Sequence, residues 1–182
     1  NTGVLTNAGT IDIIQGVGTG GARTIDADIV NQSGSILNID YNATLTGAIA
    51  NAGTINIADG TTLTISGTGH SLVNTGVIEG DGALVISGGA TIDNQGTIDV
   101  AGNGTVGDFD MSGITLDSTT NNTLDIDIQG TQAGQFDTVT LNAIDLAGTA
   151  DELNLNFSVS PSAGDSFKIV NATSQSLSET FE

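Results

Sequence analysis

NAGTINIADGTTLTISG, residues 51–67, alternates apolar with small polar residues, carries a single charge and opens on Asn-x-Gly. Near-copies of its opening recur as NAGTIDI (7–13), NTGVIEG (74–80) and NQGTIDV (94–100). Alternation with a period of two marks a strand that turns one face inward. In this unit Ile49, Ile55, Ile57, Leu63 and Ile65 fall on the inward face, and Thr54, Asn56, Thr62 and Thr64 on the outward one. Aligned on the asparagine, Asn7, Asn31, Asn51, Asn74 and Asn94 recur at about 20–24 residues, the length of one solenoid coil. Each unit holds about three short strands, too few to bury their own apolar face. Stacked at about 4.8 Å, successive units would join those faces into one aliphatic column. The expected fold class is therefore all-β, a single-stranded parallel β-helix (β-solenoid) of right-handed winding. Dividing the chain by the repeat predicts roughly eight coils and a rod on the order of 40 Å long.

Two roles are expected of the repeated asparagine. At a corner where the chain bends, Asn tolerates the left-handed conformation and bonds locally. Stacked at one corner, the amides of Asn51, Asn74 and Asn94 can also bond from coil to coil. The repeat is regular over residues 1–108, the expected β-helix body. Residues 109–182 keep the alternation in longer units and read as divergent closing coils of the same solenoid. Four of the five phenylalanines lie beyond residue 130, where larger side chains can close the end of the stack. The only proline, Pro161, sits in the turn signal SPSAGDS.

Composition narrows the partners. The chain has 21 Asp and Glu against 2 Lys and Arg, a net charge of −19. Nucleic acid and anionic membrane surfaces need cations that are missing here. Self-repulsion of this size destabilises a compact state unless salt or divalent ions screen it. There is no cysteine, which excludes a disulfide scaffold. No stretch is long and apolar enough for a membrane-spanning helix, so no membrane insertion is expected of this segment. NTGVL at the start already reads as repeat rather than as a basic, apolar leader, so the chain is read as a mature protein or a piece of a longer one.

The Asn-x-Gly-Thr-Ile units resemble the repeats of bacterial β-helical surface proteins, including autotransporter passengers and filamentous-haemagglutinin-like adhesins. GQFDTVTLNAIDLAGTADELNLNFSVSPSAGDSFKIV (134–170) is similar to a terminal segment of such proteins, an alternating run followed by Pro-x-x-Gly-Asp-x-Phe-x-Ile. The resemblance implies export to the cell surface or matrix and service as a stalk or adhesive element.

Several side-chain groups invite a chemical reading. Glu79 and Asp99 share the repeat position of Asn56, which stacks outward carboxylates about 5 Å apart on adjacent coils. GNGTVGDFD (102–110) combines glycines with Asn103, Asp108 and Asp110, oxygen donors suited to a hard cation such as calcium. Glu79, Asp99, Asp108 and Asp110 are thus the candidate metal ligands, against the plainer reading of a solvated acidic face. A polysaccharide-acting enzyme of this shape needs paired carboxylates with cationic or histidine support. Arg23 and Lys168 are the only cationic side chains and are expected near opposite ends of the solenoid, while the flanks of His70 lack acid clusters and a basic partner, so no catalytic residue is assigned. Asn31, Asn42, Asn103, Asn121 and Asn171 are among the Asn-x-Ser/Thr sequons of the chain.

These features lead to the expectation of a non-enzymatic extracellular protein, secreted or on the cell surface. It would serve as a stalk or adhesive β-helix whose partners are carbohydrates or surface proteins of a host or neighbouring cell. The alternative is a self-assembling subunit of an extracellular filament or matrix fibre, in which copies dock head to tail. An uncapped coil exposes unpaired strand groups, and NTGVLTNAG begins in repeat register.

Overall fold

The computed structural model describes residues 3–17, 20–116, 122–144 and 151–174. Among them every regular element is a strand. The first coil comprises β1 (Val4–Asn7), β2 (Thr10–Ile13) and β3 (Arg23–Ile25); the second β4 (Asp28–Asn31), β5 (Ile36–Ile39) and β6 (Ala43–Leu45). The third holds β7 (Ile49–Asn51), β8 (Thr54–Ile57) and β9 (Thr62–Ser66); the fourth β10 (Ser71–Asn74), β11 (Val77–Gly80) and β12 (Ala83–Ser87). The fifth holds β13 (Thr91–Asn94), β14 (Thr97–Val100) and β15 (Asp108–Leu116). Then follow β16 (Thr123–Ile128) with β17 (Thr138–Ile144), and β18 (Glu152–Phe157) with β19 (Val170–Ala172).

Each coil pairs in parallel with the next, so the strands sort into three sheets. Sheet A is β1-β4-β7-β10-β13, sheet B β18-β16-β14-β11-β8-β5-β2 and sheet C β19-β17-β15-β12-β9-β6-β3. The chain visits A, B and C in turn, which is the path of a parallel β-helix. Register follows the repeat without slip through the body: Ile49 lies between Ile29 and Leu72, and Ile55 between Leu37 and Ile78. The inward residues expected from alternation (Ile49, Ile55, Ile57, Leu63 and Ile65) are all buried, and they belong to one core running from Ile13 to Val170. That column of Ile, Leu and Val is the main source of stability, at about 1.5–3 kcal/mol for each side chain taken out of water.

Seven strands in sheets B and C span roughly 30 Å at the usual strand spacing, shorter than the eight-coil expectation. The difference comes from the later coils, whose corner asparagines and aspartate are 28 and 29 residues apart instead of 20. The expected division at residue 108 falls where β15 begins, and β15 pairs with β12 on one side and β17 on the other. Toward the far end Phe136, Phe157 and Phe167 meet edge to face, with ring centroids 5.5 and 5.9 Å apart. Phe181 lies outside the described residues.

Candidate functional site

Two features stand out on this frame: a ladder of buried amides at the A-to-B corner, and an acidic corner where sheet B meets the turn 101–107.

Each ladder asparagine ends a sheet A strand with its side chain turned inward. Asn7 Nδ2 donates to Asn31 Oδ1 at 2.8 Å, Asn31 to Asn51 at 2.7 Å, Asn51 to Asn74 at 2.7 Å and Asn74 to Asn94 at 2.6 Å. The same Nδ2 groups also reach carbonyl oxygens of their own and the following coil, as Asn51 does to Gly53 at 3.2 Å and Val77 at 3.0 Å. Buried amides are tolerated only when satisfied, and here each rung satisfies the next. The coil-to-coil bonding expected of these residues is therefore present. The expected left-handed backbone is not: Ala101 is the only described non-glycine residue with positive φ. The asparagines lie in extended strand ends, where a short amide fits the interior and nothing demands a reversed φ.

The ladder runs further than the motif. Asn94 Nδ2 donates to Asn122 Oδ1 at 2.8 Å, and Asn122 Nδ2 to Asp151 Oδ1 at 3.3 Å. The backbone N–H of Asn122 also donates to Asp151 Oδ1, at 3.2 Å. Every amide thus donates toward the C-terminal end. Asp151 can only accept while ionised, and its Oδ2 is buried with no hydrogen-bond partner among the described residues.

The acidic corner begins with Glu79, Asp99 and Asp125, which stack in register on successive strands of sheet B. Asn56 precedes Glu79 in this file, as the repeat predicted. Asp127 follows two residues after Asp125, but the turn 101–107 covers it, leaving it 6% exposed. Asp127 Oδ2 accepts the N–H of Gly104. Asp137, also buried, accepts the N–H of Gly107 at 2.8 Å through Oδ1 and that of Asp127 at 2.6 Å through Oδ2. Two buried carboxylates therefore hold a turn in which Ala101, Gly102 and Gly104 all have positive φ. Neither was assigned a role from the sequence.

Crowding raises the proton affinity of this corner. Desolvation, and then the charges of Asp125, Glu79, Asp127 and Asp137, push Asp99 up to about 7. Desolvation pushes Asp137 up to about 6, against the two backbone N–H groups that favour its charge, and burial raises Glu79. An acid whose folded pKa lies above its unfolded value binds its proton more tightly in the folded state. Its contribution is then most favourable below the unfolded value and is lost as pH rises toward the folded one. Stability is expected to fall between about pH 4 and pH 7. For half-buried Asp99, solvent screening reduces the effect to about 1–2 kcal/mol. Asp99→Asn should raise the melting temperature at pH 8 and flatten the pH dependence, measured by thermal denaturation from pH 4 to pH 8. An unchanged slope would remove Asp99 as its cause.

The four candidate metal ligands divide between two sheets. Glu79 and Asp99 belong to the sheet B file. Asp108 and Asp110 are exposed on β15 in sheet C, where Asp108 accepts from Thr138 Oγ1 and Asp110 from the Ser112 N–H at 2.8 Å. Among the described residues no three acidic or histidine side chains converge closely enough to hold a metal ion, so these four do not form one ligand set. Arg23 stacks over the Tyr41 ring at 5.2 Å on the first coil, and Lys168 is exposed beside β19 on the last. They stand at opposite ends of sheet C and cannot act on one bond. His70 Nδ1 lies 3.0 Å from the Ser66 carbonyl oxygen in a turn. Of the sequons, Asn31 is a buried rung of the ladder, Asn42 and Asn103 are exposed, Asn171 is half-buried, and Asn121 lies outside the described residues.

Comparison of the chain with protein-family models, curated proteins and solved structures returned no match.

Proposed function

We propose that this chain is a non-enzymatic extracellular β-helix, a stalk or adhesive segment that presents side chains along a stiff rod. The observation that carries the reading is the union of an unbroken aliphatic column with the asparagine ladder, which ties each coil to the next inside the rod. A rod of this kind transmits load and holds outward files at fixed spacing, such as Thr24, Thr44 and Thr64 on sheet C. Many weak contacts at regular spacing bind by avidity. A surplus of carboxylates favours hydroxyl-rich carbohydrate or a basic protein surface over nucleic acid. The resemblance of the repeats to exported surface proteins supports the same location.

The test is a glycan array and a panel of cultured cells probed with the purified chain coupled to beads, in parallel with single-molecule pulling. Retention on a defined glycan or cell type, abolished by substituting outward threonines, is expected of an adhesive segment. Absence of binding across the panel would leave only the stalk. Unfolding at low force as well would sink both.

A second reading, assembly into a filament, draws on the exposure of Leu5. It stands in register with buried Ile29 and Ile49 yet is 40% exposed on the first described coil. A coil stacked there, from a longer form of this chain or from a second copy, would cover it. Electron microscopy beside a sizing column, with calcium and then with chelator, distinguishes long filaments from single rods.

A further inference from the structure

Asn103 is the only asparagine in the chain followed directly by glycine. Both residues are exposed at the turn over the acidic corner. The backbone of Gly104 is held at both its N–H and its carbonyl. Its N–H donates to Asp127 Oδ2, and its carbonyl oxygen accepts from Gln129 Nε2 at 2.9 Å. Asp127 is fixed in turn, buried beside Asp137, which accepts its backbone N–H. We propose that Asn103–Gly104 is a self-modification site, at which Asp127 acts as general base for cyclisation of Asn103 and its conversion to aspartate and isoaspartate.

The chemistry needs only groups on the page and water. A backbone amide nitrogen is a poor nucleophile until its proton leaves. A carboxylate already bonded to that N–H meets the geometric requirement for removing it. As Asp127 takes the proton, Gly104 N attacks Asn103 Cγ and a new C–N bond closes a five-membered succinimide. The Cγ–Nδ2 bond breaks, and ammonia leaves with the proton that Asp127 held. Water then opens the ring at either carbonyl, restoring a normal backbone with an aspartate side chain or leaving an isoaspartyl link. No electron is transferred; water is consumed and ammonia released. Glycine at 104 leaves the attacking nitrogen without a neighbouring side chain.

The product changes the corner that made it. A new carboxylate arises beside a turn already held by Asp127 and Asp137, adding repulsion. The isoaspartyl form inserts a methylene into the backbone and draws Gly104 N–H away from Asp127. The turn 101–107 would loosen irreversibly with age, a chemical clock at one site.

The experiment is peptide mapping by mass spectrometry, with isoaspartate-specific methylation, on purified protein aged at neutral pH and 37 °C. One arm stays folded and the other is held in concentrated urea. Conversion at position 103 is expected to be faster in the folded arm, and slowed about tenfold or more by Asp127→Asn. Asn103→Gln should remove the signal and keep the fold. Should Asp127→Asn unfold the chain, the comparison of folded with urea-treated wild type decides alone. Conversion that is absent, equal in both arms or quicker in urea would overturn the proposal, as would acceleration in a folded Asp127→Asn variant, which would make Asp127 a lock on the N–H.

Discussion

Replacing Asn74 by alanine is expected to lower the unfolding free energy by about 2–4 kcal/mol, well beyond the loss of one hydrogen bond. Asn74 sits mid-ladder with no exposed surface. Its Oδ1 accepts from Asn51 at 2.7 Å and from the Gly76 N–H at 3.3 Å, and its Nδ2 donates to Asn94 at 2.6 Å. Truncation removes these three together with the longer Nδ2 bonds to the Gly76 and Thr97 carbonyl oxygens, and strips two neighbouring rungs of a partner in a place water reaches poorly, where the desolvation cost of each group is felt in full. Asn74→Asp tests the ladder's polarity. The new side chain cannot donate while ionised, so an oxygen would face Asn94 Oδ1 and a charge would be buried without a counterion. It should be worse than Asn74→Ala at pH 8 and should recover ground at pH 4, where protonation restores a donor. Asn38→Ala, whose amide makes an exposed bond to Asp12 at 2.7 Å, should stay within about 0.5 kcal/mol of wild type. Urea titration of the four proteins decides the matter; equal midpoints for Asn74→Ala and Asn38→Ala would refute the ladder as a source of stability.

Four of the first five rungs, Asn7, Asn51, Asn74 and Asn94, share a tag, Asn-x-Gly before Thr-Ile or Val-Ile; Asn31, followed by Gln-Ser-Gly-Ser-Ile, lacks it and was legible from the nearly constant spacing alone. Asn122 and Asp151 occupy the same place in space without the tag. Asn122 is followed at once by Thr123 and Leu124, which pair with Thr97 and Ile98, and Asp151 by Glu152 and Leu153, which pair with Thr123 and Leu124. The corner there is two residues shorter, so no glycine marks it, and the intervals lengthen to 28 and 29 residues. The alternation kept over residues 109–182 does coincide with strands at β16 and β18, because strand periodicity is local whereas ladder membership depends on which coil lies underneath.

The acidic corner shows a different limit. Asp125 and Asp127 share parity on one strand, and parity alone sends both outward. Asp127 ends buried because a turn about two dozen residues earlier in the chain folds across it and delivers Gly104 N–H to its carboxylate. Asp137 is buried by the approach of Gly107 across thirty positions. Nothing in the local pattern of either acid reports that approach. Glu79 and Asp99 were singled out by a shared repeat position and Asp108 and Asp110 by the glycine-rich run 102–110, but a coil turns a corner between β14 and β15 and puts the two pairs on different sheets.

Gly76→Ala is expected to be a severely damaging conservative change, at about 3–5 kcal/mol. The glycine of Asn-x-Gly invites the usual explanation of a positive φ, yet neither Gly53, Gly76 nor Gly96 has one. What they share is contact with the coil beneath. A Cβ on Gly53 would lie 2.2 Å from the Ser35 carbonyl oxygen, one on Gly76 2.1 Å from that of Gly53, and one on Gly96 2.2 Å from that of Gly76. The obstacle is backbone already bonded into the stack: Thr54 donates to Ser35 O, Val77 to Gly53 O and Thr97 to Gly76 O, at 2.9 Å each. A methyl group can be admitted only by prising two coils apart at the corner, which stretches those bonds and the asparagine ladder beside them. The first coil supplies the control. Gly9 occupies the same motif position, and a Cβ there meets nothing within 4 Å. Gly9→Ala should therefore be neutral, or stabilise slightly by restricting the unfolded chain. If thermal denaturation shows the two variants equally impaired, the requirement for glycine lies in local backbone conformation. If only Gly76→Ala falls, the motif exists because coils must stack at backbone contact, and the asparagine two places earlier can form a ladder only because that contact is so close.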